Sequence, residues 1–203
     1  GLNLSAGKNL AGAFYQPHMV LCDPDALNTL PADVLADGVA EAVKYGVLGD
    51  APLFELLSSG SWSARTEEII TRCVSAKATL VEADERDTGS RQLLNLGHTL
   101  GHAIERCSGY AVSHGHAVAV GMVYAARLCG GEVLPQIVAA LEANRLPVSA
   151  PYAADELCAV ALSDKKRAGG TLTFVLPEAI GQCALYPVAV EKLPEMVGMA
   201  VSE

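Results

Sequence analysis

The stretch that most limits what this chain can become is residues 114–131, His-Gly-His-Ala-Val-Ala-Val-Gly-Met-Val-Tyr-Ala-Ala-Arg-Leu-Cys-Gly-Gly. As a helix it would be apolar almost all round, and such a helix is stable in water only when other elements surround it. It therefore predicts a central helix in a bundle. Periodicity elsewhere supplies the surround. Val34, Leu35, Val39, Val43 and Val47 keep helical spacing over 31–48, with Thr29 as cap and Pro31 in the first turn. Thr66, Glu67 and Glu68 open a second long helix to about Asp84, and further helices are expected at 51–58, 92–107, 133–144, 153–162 and 188–200. Strand signals are few. Met19–Cys22 reads as a buried strand ended by Asp23-Pro24-Asp25, and Thr171–Leu176 as a β-type run ended by Pro177. Residues 1–18, rich in Gly, Asn and Pro, read as a functional loop. The expected fold is mainly α, a helical bundle with a minor β-hairpin, in a single domain over 1–203.

Composition narrows the function. A hydrophobic share of 51% can fill a substantial core, while a net charge of -9 argues against nucleic-acid or anionic-membrane partners, whose phosphates repel that field. An anionic small molecule would need a local basic pocket. With no long apolar run and no signal-peptide pattern, a cytoplasmic location is expected. The six cysteines are widely spread without a CxxC, as reduced core thiols would be.

Chemistry concentrates in Asn95-Leu96-Gly97-His98-Thr99-Leu100-Gly101-His102-Ala103 and His114-Gly115-His116, which hold four of the five histidines. His98 and His102 are four apart, one turn from each other on a helical face, so spacing alone selects them as a ligand pair in a metal site. Zinc takes imidazole nitrogen and carboxylate oxygen, and a catalytic site keeps one position open. His98, His102, His114 and His116 offer nitrogen, and Glu41, Glu105 and the acidic loop 82–91 offer oxygen. A surplus histidine would be free for acid and base work. Glu41 and Lys44, three apart, read by themselves as a surface ion pair of roughly 0.2–0.5 kcal/mol. Gly7-Lys8-Asn9 could bind an anion through backbone N–H groups. Lys77 lies beside an apolar stripe, where a lysine snorkels to water.

Taken in order, Gly7-Lys8-Asn9 with Gln16-Pro17, Glu41-Ala42-Val43-Lys44-Tyr45-Gly46, Ala83-Asp84-Glu85-Arg86, Leu94-Asn95-Leu96-Gly97-His98, Gly101-His102-Ala103, His114-Gly115 and Asp164-Lys165-Lys166 form one pattern. The chain resembles the C-terminal, metal-binding domain of the 3-dehydroquinate synthase family, within the sugar phosphate cyclases, from Gly1 to about Val190. The resemblance implies the helical half of a two-domain α/β plus α enzyme. It implies Zn2+ or Co2+ held by Glu41, His98 and His114, and catalytic roles for His102, Lys44, Asn95 and Asp87. Lys44 would be turned toward the substrate. Lys8, Asn9, Lys77, Arg91, Lys165 and Lys166 match substrate-binding positions. The implied reaction converts 3-deoxy-D-arabino-heptulosonate 7-phosphate to 3-dehydroquinate and phosphate, with NAD+ as transient oxidant and a homodimer as the full-length form.

Two departures stand against that pattern. His116 replaces the family's usual Glu after His-Gly, either as a neutral neighbour of the site or as an added, perturbing ligand. The chain also begins at Gly1, without the nucleotide-binding domain, and is expected to be a fragment that binds metal without turnover. Alternatives are another sugar phosphate cyclase, a polyol or iron-type alcohol dehydrogenase, and a noncatalytic helical module with a relic metal site.

Overall fold

The computed structural model describes residues 2–4, 7–13, 15–87, 89–165 and 170–202. Lys166 and the side chains of Lys8, Asn9 and Lys165 lie outside the described residues. In chain order the elements are β1 (Leu2–Leu4), β2 (Gly7–Ala11), α1 (Ala32–Gly49), α2 (Ala51–Ser58), α3 (Thr66–Ala83), α4 (His98–Cys107), α5 (His114–Cys129), α6 (Val133–Ala143), α7 (Ala154–Lys165), β3 (Thr171–Ala179), β4 (Gln182–Ala189) and α8 (Leu193–Val201).

Helix α5 is the axis. Every residue from Ala117 to Ala126 is buried, and two apolar clusters share the helix. Val118, Met122 and Val123 join α1, α2 and α6 on one side, while Ala117, Val120 and Tyr124 join α4, α7, β3 and α8 on the other. Each fully buried Val or Met side chain contributes about 1.5–3 kcal/mol from removing apolar surface from water. This two-sided burial explains why the sequence of α5 is apolar all round. Strands β3 and β4 form an antiparallel hairpin with Thr171 opposite Ala189 and Pro177 opposite Cys183, and Leu172, Phe174 and Val175 face the core.

Several expectations are corrected. Residues 2–11 are not loop throughout, because β1 and β2 pair antiparallel with Leu2 opposite Ala11. Met19–Cys22 is not a buried strand: Met19, Val20 and Leu21 are 72, 68 and 84% exposed, with no partner strand among the described residues. Thr29 does not cap α1; it ends a 3-10 turn, Pro24–Thr29, and Pro31 takes the N-cap position. The β3 strand runs through Pro177, which a two-stranded sheet tolerates at a bulged edge. The last helix starts at Leu193 because 182–189 form β4. The single helix expected over 92–107 is two pieces, a 3-10 turn Ser90–Asn95 and α4, separated at Gly97 with φ +76°. All six thiols are free, but Cys22 and Cys129 are exposed and only Cys158 is fully buried.

Two close approaches set the site. A Cβ on Gly121 would fall 1.9 Å from the Gly97 carbonyl oxygen, so the start of α4 lies directly on α5. A Cβ on Gly115 would fall 2.3 Å from Asp37 Cα, so α1 lies as closely on the first turn of α5. Larger residues at either place would hold three helix segments apart.

Candidate metal centre

Those contacts bring Glu41 of α1, His98 at the start of α4 and His114 at the start of α5 to one point. Glu41 Oε1 lies 3.4 Å from His98 Nε2 and 3.5 Å from His114 Nε2. Both imidazoles are oriented from behind. His98 Nδ1 is 3.0 Å from the Leu96 carbonyl oxygen, and His114 Nδ1 is 3.2 Å from Glu105 Oε2. With Nδ1–H donating in each case, both Nε2 lone pairs point at the glutamate, as the outer partners of metal-bound histidines arrange.

Glu41 is held on its other oxygen. Lys44 Nζ is 2.7 Å from Oε2 and also donates to the Leu94 carbonyl oxygen at 3.0 Å, and the lysine is only 3% exposed. Glu41 Oε1 is buried without a hydrogen-bond partner. A buried carboxylate oxygen without a donor is costly, and a cation between it and the two nitrogens would satisfy it. The spacing fits: zinc binds such ligands at about 2.0–2.2 Å, so two of them at a tetrahedral angle stand about 3.4 Å apart.

The protonation states of Glu41 and His98 suit a cation. Burial acts to raise the Glu41 pKa, but His114, Lys44 and His98 outweigh it and hold the carboxyl down at about 2. Burial, joined by the Lys44 charge, pushes His98 down to about 4, so this ring is neutral and its lone pair available at neutral pH. His114 moves the other way, raised first by Glu41 and further by Glu105 against the effect of burial. Burial also lowers Lys44, against the opposing pull of Glu41.

His102 is exposed on the next turn of α4, its ring centroid 5.4 Å from that of His98 and 5.8 Å from that of His114. Its nitrogen belongs to a second cluster of ligand-type atoms with Glu105 and His114, not to the Glu41 cluster. The His98 and His102 pair suggested by spacing is thus divided, and Glu41 and Lys44 are not a surface pair. Beside the cluster a cleft of about 220 Å³ is lined by Asn95, His98, Thr99, His102, Ala161, Leu172 and Thr173. Lys77 is exposed on α3 and its charge reaches Lys44. Arg91 donates from Nη1 to the Glu85 carbonyl oxygen at 2.8 Å, and its N–H donates to Asp84 Oδ2 at 3.1 Å. Asp84 also accepts from the Gly89 N–H, which organises the turn, while Glu82, Glu85, Arg86 and Asp87 remain exposed to solvent. Asp87 is exposed with φ +58°, a left-handed conformation aspartate tolerates. His116 turns to Asp37, its Nδ1 2.6 Å from Oδ1. Asp37 was not singled out by sequence, although it stands one turn before Glu41.

Residues 38–167, well over half the chain, match the family model described as 3-dehydroquinate synthase C-terminal, and residues 1–37 match the N-terminal model of the same family. The chain belongs to the 3-dehydroquinate synthase family. It is similar to the 3-dehydroquinate synthase of Opitutus terrae, 46% identical over 197 residues that cover 90% of this chain and 55% of the relative. The corresponding protein of Pelobacter propionicus is 42% identical over 209 residues, covering 96% of this chain and 58% of that one. The chain therefore spans a little over half the length of these relatives. Among solved structures, 2-epi-5-epi-valiolone synthase from Streptomyces hygroscopicus, with NAD+ and Zn2+ bound, superposes with a TM-score of 0.85 at 24% identity, covering 99% of this chain and 60% of that one. At that identity the likeness speaks for the fold alone. 2-Deoxy-scyllo-inosose synthase, complexed with carbaglucose-6-phosphate, NAD+ and Co2+, superposes with a TM-score of 0.76 at 25% identity over 97% of this chain and 60% of that one. No described helix is long and apolar enough to cross a membrane.

Proposed function

We propose that this chain carries the metal and substrate side chains of a 3-dehydroquinate synthase, a cytoplasmic lyase that converts 3-deoxy-D-arabino-heptulosonate 7-phosphate to 3-dehydroquinate and phosphate. The carrying observation is the buried, unpartnered Glu41 Oε1 facing two imidazole nitrogens at 3.4 and 3.5 Å, in a chain of this family. Glu41, His98 and His114 would hold Zn2+ or Co2+. When bound, the metal supplies Lewis-acid polarisation of a substrate oxygen and NAD+ supplies reversible hydride acceptance.

The chain's own residues then position substrate and move protons. Lys44 keeps Glu41 in the rotamer that presents Oε1, and its buried ammonium adds positive potential to the site. His102 and Asn95, which share the cleft with His98, would bond a substrate hydroxyl and relay its proton. Lys77, Arg91, Lys8, Asn9, Lys165 and Lys166 supply cationic and amide donors to carboxylate and phosphate, the local basic pocket that a chain of net charge -9 requires. The leaving phosphate can accept the proton of its own elimination, with Asp87 as a further acid/base group from the 84–91 turn. The NAD+ contacts would come mostly from a nucleotide-binding domain beside these residues, in a homodimeric enzyme.

The test is phosphate release from the heptulosonate phosphate with NAD+ and Zn2+, using this chain joined behind the corresponding upstream residues of the Opitutus terrae relative. Turnover is expected, and His102→Ala should lower kcat by about 10²–10⁴-fold while metal content is retained. Equal turnover in a Glu41→Ala variant would refute the proposal.

A further inference from the structure

Helix α5 begins at His114, and its N-cap residue, Ser113, makes no capping bond to its own helix. The cap comes instead from α1. Asp37 Oδ1 accepts from the His116 N–H at 2.9 Å and from Ser113 Oγ at 2.7 Å, and lies 2.6 Å from His116 Nδ1. Ser113 Oγ is also 2.9 Å from His116 Nδ1, so one carboxylate oxygen gathers both residues that flank His114 and Gly115. A carboxylate at a helix N-terminus satisfies exposed amides and meets the positive end of the helix dipole. Gly115 permits the contact, because any side chain there would strike the Asp37 backbone.

The consequence is geometric. Asp37 stands one helical turn before Glu41 on α1, and His116 stands two residues after His114 on α5, so the contact fixes one helix against the other beside the two ligands. Neither cluster of metal-spaced ligand atoms among the described residues includes His116. We infer that Asp37 and His116 form a positioning clamp that sets the separation of Glu41 and His114, and through it the metal affinity of the site. His116 is thereby an anchoring residue and not an added ligand. The inference rests on the reading of Glu41, His98 and His114 as the metal site.

The test is Co2+ titration of the chain, following visible absorption for site geometry and far-UV circular dichroism of the metal-free protein for folding. Outer-shell partners of metal ligands are typically worth about 10–100-fold in affinity. Asp37 and His116 bond no ligand directly, so Asp37→Ala is expected to weaken Co2+ binding about 10-fold, the lower end of that range, and His116→Ala by less, each with an altered absorption band. Because His116→Ala keeps the Asp37 contacts to the residue-116 N–H and to Ser113, Asp37→Ala should weaken binding more than His116→Ala, and the double variant should bind within about twofold of Asp37→Ala. Should Asp37→Ala fail to fold, Asp37→Asn keeps the shape and an acceptor oxygen while removing the charge, and a several-fold loss is expected. Wild-type chain that takes up no Co2+ would refute the metal reading itself, and the clamp with it. Wild-type binding with the folded Asp37 variant within about twofold of it and an unchanged band would overturn the clamp alone, as would losses that multiply in the double variant.

Discussion

Lys44 Nζ stands 2.7 Å from Glu41 Oε2 in a pair whose lysine side chain is 4% exposed and whose glutamate is 30% exposed. At one helical turn this is the sequence signature of a weak surface pair, but burial changes its value. Breaking a buried pair by removing one partner costs about 3–5 kcal/mol, and the partial exposure of Glu41 puts this one at or below the lower end. Lys44→Met is expected to lower urea stability of the metal-free chain by about 2–3 kcal/mol. Because Lys44 holds Glu41 in the rotamer that presents Oε1, the variant should bind Zn2+ more weakly, and a given Zn2+ concentration should stabilise it by less than it stabilises wild type. Equal stability of the metal-free proteins would show that Lys44 does not support the glutamate.

The close packing at Gly115 and the open space at Gly38 predict opposite effects of one added methyl group. Gly115→Ala drives Cβ to within 2.3 Å of Asp37 Cα, so α1 must retreat from α5. Overpacking of this kind costs about 1–3 kcal/mol, and metal affinity should fall with it. Gly38 is exposed inside α1 and a Cβ there meets nothing within 4 Å, so Gly38→Ala should stabilise by about 0.5–1 kcal/mol. Thermal midpoints of the two variants, read beside Zn2+ affinity, check the pair of signs.

Proton release on metal binding should depend on pH in one direction. The folded, metal-free chain raises the His114 pKa through Glu41 and Glu105, so its stabilisation is fully present below the unfolded imidazole value. That stabilisation is lost as pH rises through the folded value, and a metal must displace the His114 proton below it. His98, pushed down to about 4, has no proton to lose near neutrality, and Glu41, at about 2, has none either. Calorimetric titration with Zn2+ in buffers of different ionisation enthalpy should therefore find up to one proton released at slightly acid pH. Release should decline toward zero as pH rises above the His114 titration, with affinity increasing over the same range. Release of two protons at neutral pH would contradict the assignment of His98 as neutral.

Much of this was legible in the sequence, and the residues that were not share a cause. The apolar girth of α5 announced its central place, and helical periodicity located α1, α2 and α3 to within a residue or two. Met19–Cys22 misled because apolar content alone does not make a strand when nothing pairs with it. The 92–107 span misled because Gly97 reads as a tolerated helix glycine, whereas contact with α5 holds it at φ +76° and breaks the helix there. His98 and His102 share a helix face, but a ligand set drawn from three helices is a tertiary property that spacing within one helix cannot report. Glu41 was one of several oxygen donors on offer and was selected as a ligand only through resemblance, and Asp37 was not singled out, although its i, i+4 relation to Glu41 was available as a signal.

The most direct test of the metal centre is Zn2+ stoichiometry and affinity for the chain, compared among Glu41→Ala, His98→Ala, His114→Ala and His102→Ala. The expected result is one Zn2+ per wild-type chain, loss of tight binding in each of the first three variants, and retention of binding within about tenfold in His102→Ala, whose ring stands outside the Glu41 cluster. Loss of binding in His102→Ala together with retention in Glu41→Ala or His114→Ala would contradict it, and would return the site to the pair on one helix.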